Sequence, residues 1–72
     1  MPAGIYREAD ERFLDTATDY EIAVKRLVFK GTQREMMVVY DRVGRLVELV
    51  TIHPLRPGQK QTRIASGRWK PL

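Results

Sequence analysis

A chain of 72 residues forms one domain, 1–72, and its small size leaves a thin margin of stability from core burial alone. There is no cysteine and one histidine, which excludes disulfides, thiolate metal sites and a structural zinc site, and the net charge of +4 points toward an anionic partner. The longest apolar run, Met36 to Tyr40, is far below a membrane span, and MPAGIYREAD lacks the cationic and apolar regions of a signal peptide, so a cytoplasmic protein without a membrane partner is expected.

In chain order, residues 5–15 (IYREADERFLD) suit either a helix, with Glu8 and Arg12 paired at i,i+4, or an edge strand around Phe13. Residues 20–30 carry mixed signals. Thr18 with Glu21 could form a capping box and Gly31 a helix stop, but Tyr20, Ile22, Val24, Val28 and Phe29 are strand formers, and the even positions make an apolar face broken only by Arg26. The strand reading is favoured. Two apolar runs, Met36 to Tyr40 and Leu46 to Ile52, flank Asp41-Arg42-Val43-Gly44-Arg45, where Gly44 can take the positive φ of a tight turn; they predict an antiparallel hairpin of strands at roughly 34–41 and 45–53, ended by Pro54.

Both faces of these runs carry apolar side chains, so the sheet should be covered twice. With little chain left to do this, a homodimer through a sheet face is expected. After Pro57-Gly58, residues 59–65 (QKQTRIA) predict a two-turn helix stopped near Gly67, with Lys60 and Arg63 on one face and Ile64 directed at the sheet. The closing RWKPL should be extended. The predicted fold class is α+β: a small antiparallel sheet of three to four strands, a short C-terminal helix, and an N-terminal helix or edge strand.

Charge is distributed unevenly. Residues 1–21 hold six acids and two cations, whereas Ile22 to Leu72 hold eleven cations and three acids. This predicts either a polyanionic partner or an acidic end folded back on a basic one. No phosphate-binding glycine loop, GxSxG elbow, HExxH or CxxC is present, and His53 has no cysteine and only Ser66 as a serine to activate, which argues against a hydrolytic triad.

What remains is phosphate chemistry without a metal or other cofactor. Cleavage of RNA needs a group to take the ribose 2′ proton, cations to hold the phosphorane charge and an aromatic on which a base can stack. His53, Arg63 and Arg68 are the catalytic candidates, with Tyr40 as a spare acid; Lys60, Arg63, Ser66, Arg68, Trp69 and Lys70 are the nucleic-acid-binding candidates. Each has a structural alternative. His53 before Pro54 suits a turn, Trp69 a core, Arg63 and Arg68 ion pairs with Asp10, Glu11 or Asp15, and Ser66-Gly67 a helix stop.

The block MVVYDRVGRLVELVTIHPLRPGQKQTRIASGRW resembles the C-terminal part of small uncharacterised bacterial and archaeal proteins that read as apolar strand, glycine turn, apolar strand, TIHP, then QK..RI.SGRW. More loosely, it is similar to the RelE/ParE and BrnT toxin domains, in which a twisted antiparallel sheet carries cationic residues that bind or cut RNA. That resemblance implies an RNA-directed protein, a metal-independent endoribonuclease if an enzyme, with roles for His53, Arg63 and Arg68 and an acidic antitoxin-like protein as a further partner. Those toxin domains carry a substantial helical segment before the sheet, whereas here nineteen residues precede Tyr20. The alternative reading is a protein–protein interaction or dimerisation module without chemistry.

Overall fold

The computed structural model describes residues 2–72, with only the backbone of Pro2, Ala3 and Phe29. Five strands, β1 (Glu11–Asp15), β2 (Glu21–Phe29), β3 (Thr32–Val43), β4 (Leu46–Pro54) and β5 (Trp69–Pro71), form one antiparallel sheet in the order β4-β3-β2-β1-β5. Helix α1 (Pro2–Arg7) precedes it and α2 (Gln59–Ala65) links β4 to β5. The sheet has one strand more than the three to four predicted. The segment 5–15 is both things it was read as, the end of a helix and then a strand, and β5 is the added edge.

The two long hairpins follow from local chemistry. Lys30 (φ 50°) and Gly31 (φ 75°) both take left-handed backbone, the requirement of a two-residue turn matched to strand twist, and Gly44 (φ 62°) does so in the β3–β4 turn. Between them β2 and β3 pair continuously from Glu21 opposite Tyr40 to Phe29 opposite Thr32. The helix signals at Thr18 and Glu21 are overridden: the Thr18 hydroxyl accepts from the Tyr20 amide, closing a local turn in place of a cap. In β4, Val50 is an extra residue, since Val39 faces Thr51 and Tyr40 faces Leu49.

Side chains alternate across the sheet, giving it two buried faces. On one, Phe13, Ile22, Val24, Met37 and Trp69 form a cluster with Val39 and Leu55 against it. On the other, Ala23, Val38 and Tyr40 are buried with Ile5 of α1, and Tyr6 meets Tyr40 edge to face at 4.8 Å. The expectation of cover on both faces therefore holds at the centre, where β3 lies between β2 and β4. It does not extend to β4, an outer strand whose residues are all exposed except Ile52. Among the described residues no helix is long and apolar enough to cross a membrane.

The chain crosses the sheet between β4 and β5 by way of α2, and this crossing brings the two ends together. Thr16 N–H donates to Arg68 C=O at 2.7 Å, and Leu72 N–H to Arg12 C=O at 3.0 Å. Lys60 reaches down to Glu11 at 2.6 Å and Glu35 at 2.8 Å, so α2 turns its lysine toward the sheet. Ile64, expected there, is instead exposed. Two carboxylates wait beneath α2, and a lysine pointed at solvent would leave them uncompensated.

Candidate nucleic-acid interface

The residues selected from the sequence fall into two groups. Trp69, Arg68 and Ser66 belong to the closure of the chain. The indole of Trp69 is 1 % exposed and stacks on Phe13 at 5.5 Å. Its N–H is the one buried side-chain polar atom, among the described residues, without a hydrogen-bond partner of normal geometry, although it lies close enough to Asp15 to favour that carboxylate. Arg68 donates to both oxygens of Asp15, at 3.2 and 3.3 Å. Ser66 accepts from the Arg68 amide and donates to Arg63 C=O. Lys70 is exposed on β5.

Asp15 is buried, and that alone would push its pKa up; the hydrogen bonds from Arg68 and the Ala17 amide, with the guanidinium charge and the nearby indole, outweigh this and hold it below its ordinary value. Lys60 is also tied up. Its side chain is only 12 % exposed, and the hydrogen bonds to Glu11 and Glu35 raise its pKa. The acidic first third thus meets the basic C-terminal part inside the domain, at Glu11–Lys60 and Asp15–Arg68.

The second group lies at the other end of α2. His53, at the end of β4, and Arg63, on α2, line an open cleft of about 1280 Å³ between the β2–β3 turn and the loop that enters α2. Arg34 and Arg56 line it too, with Gln33, Gln59, Thr32 and Thr62. The Arg63 guanidinium stands over the Trp69 ring at 5.6 Å, so the core indole supports a cation at the wall of the cleft. Glu35 is the single carboxylate in the lining, and Lys60 neutralises it. No carboxylate pairs with Arg34 or Arg56 among the described residues. The Gly58 φ of 79° turns the loop into α2, and Gln59 accepts from the Arg56 amide at 3.0 Å, fixing the backbone that carries Arg56.

The three catalytic candidates are not gathered in one place. His53 and Arg63 share the cleft, whereas Arg68 stands where β5 begins, at the opposite edge of the sheet; four strand spacings of about 4.8 Å separate the outer strands. Tyr40 projects from the face that α1 covers, where its hydroxyl donates to Glu21 at 3.1 Å. Arg34 and Arg56 were not singled out by their sequence context. Arg56 was one of the eleven cations of the basic part, and nothing local distinguished it from the others.

Among the described residues no group of three or more histidines or acids is placed to hold a metal. No family model, curated protein or solved structure matches the chain significantly.

Proposed function

We propose that the protein binds single-stranded RNA in the cleft between β3, β4 and α2, and holds it without cutting it. The observation that carries this reading is the balance of charge there. Arg34, Arg56 and Arg63 line one concavity with His53, and its one carboxylate is already answered by Lys60. Unpaired guanidinium groups beside amides and hydroxyls are suited to a phosphodiester backbone, because each offers forked donors to phosphate oxygens. Cleavage in the toxin manner would need a second proton-transfer group and a further cation beside His53. Tyr40 lies on the other face and Arg68 at the far edge, so binding is the reading these positions favour.

Titration of a labelled oligouridylate at increasing salt tests this. Affinity should fall with salt, and Arg34→Ala and Arg56→Ala should each flatten the log–log slope by about 0.7, one phosphate contact on a single strand. Neither guanidinium is part of the core, so the melting temperature should not move. Undetectable binding at low salt, or slopes unchanged in both variants, would overturn the proposal; displacement of the RNA by an acidic peptide alone, with no RNA slope, would favour a protein partner.

A further inference from the structure

The outer end of the β3–β4 hairpin runs beyond the rest of the sheet. β2 begins with Glu21 opposite Tyr40, so Asp41–Val43 and Leu46–Glu48 pair only with each other. A two-stranded ribbon standing alone is marginal in water. This one nevertheless carries Val43 and Leu46, 55 % and 73 % exposed, side by side on the face that holds α2 further along the sheet. Val47 and Leu49, opposite Arg42 and Tyr40, are exposed on the other face of the ribbon, so Val43 and Leu46 are the apolar centre of this one.

The charges of the ribbon narrow the choice of partner. Asp41 and Glu48 stand directly opposite each other on the Val43–Leu46 face, and neither has an ion-pair partner among the described residues. Like charges in that position are destabilising. Arg45, in the turn, lies nearer the tip on the other side of the apolar pair and is likewise free of a carboxylate. The order along the ribbon is therefore acids, apolar pair, cation. Such an order is complementary to itself when a second ribbon is laid over it in the opposite direction. On this face two acids, Asp41 and Glu48, stand against one cation, Arg45, in a chain of net charge +4, while Arg42 belongs to the other face and is paired with Glu21 at 2.9 Å. A second copy meets less repulsion here than on the basic surfaces, while a polyanion gains nothing.

We propose that a second copy of this chain covers this face in an isologous packing. Val43 and Leu46 of both copies form the centre, and each Arg45 lies over the other copy's Asp41–Glu48 pair. The free edge of β4 is the less suitable surface for self-pairing, because the extra residue Val50 breaks the regular ladder and Glu48 sits on the strand. The contact lies away from the cleft and is independent of what the cleft binds.

Sedimentation equilibrium over a concentration series tests the contact. The wild-type chain should be a dimer and Leu46→Lys a monomer with an unchanged circular-dichroism spectrum. Arg45→Glu and Glu48→Arg should each weaken the dimer roughly tenfold, and the two together should recover most of that loss. A wild-type chain that stays monomeric at millimolar concentration overturns the proposal. So does a Leu46→Lys variant that dimerises as well as wild type, or a double variant no better than the singles.

Discussion

Asp15 concentrates the physics of this domain in one side chain. It is nearly out of solvent and keeps its charge through donors: two from Arg68 and one from the Ala17 amide. Its folded pKa lies below the ordinary carboxylate value, so it binds protons less readily folded than unfolded. A depressed carboxylate contributes stability that is present above the unfolded pKa and lost as pH falls through the folded one. The domain should therefore lose stability on acidification below about pH 4. Asp15→Asn keeps the shape but removes the charge, leaving Arg68, whose side chain is 41 % exposed, able to turn to water. The variant should be less stable at neutral pH and show a shallower acid limb in urea titrations at stepped pH. An acid limb of wild-type steepness would mean that other carboxylates carry the pH dependence.

At the scale of elements, the part of the fold set by near neighbours was legible and the part set by distant ones was not. β2, β3 and β4 announce themselves through β-branched runs and turn glycines, and α2 through Pro57-Gly58 before it and Gly67 after it. β1 and β5 were legible only in part, as one alternative for the stretch around Phe13 and as an extended RWKPL, because five and three residues of mixed polarity become strands only through ladders with distant partners. The orientation of α2 was misjudged for the same reason. Nothing within seven residues says that Glu11 and Glu35 will lie beneath Lys60. The cleft followed suit, since Arg34 and Arg56 look ordinary until the β4–β5 crossing sets them round His53.

The same placement predicts that Lys60 acts as a clamp on α2. It is held by two carboxylates and has little solvent contact, so Lys60→Met should strand both acids and loosen the helix. Amide exchange over residues 59–65 should quicken, while the salt slope for RNA binding falls less than in Arg56→Ala. A slope reduced as much as by loss of Arg56, with α2 exchange unchanged, would return Lys60 to the phosphate contacts.

For the whole molecule, the question is whether the last strand is a separable flap. β5 has three residues and a single neighbour, β1, and by its ladder alone it should fray. Its first residue argues otherwise. Trp69 is packed with Phe13, Ile22, Val24 and Met37, and withdrawing a large aromatic from such a cluster costs about 3–5 kcal/mol. A domain of this size has on the order of 5 kcal/mol of stability in total. Opening β5 would also part Thr16 from Arg68 and Arg68 from Asp15. The local opening therefore costs about as much as unfolding, and the two should occur together. Trp69 is the only tryptophan, so its fluorescence reports this closure without interference. Urea transitions followed by Trp69 emission and by far-ultraviolet circular dichroism should share one midpoint, with the Trp69 amide protected from exchange as strongly as the centre of the β2–β3 ladder. An earlier fluorescence transition would show β5 to be a flap after all, with Arg63 losing its support at the cleft before the sheet itself gives way.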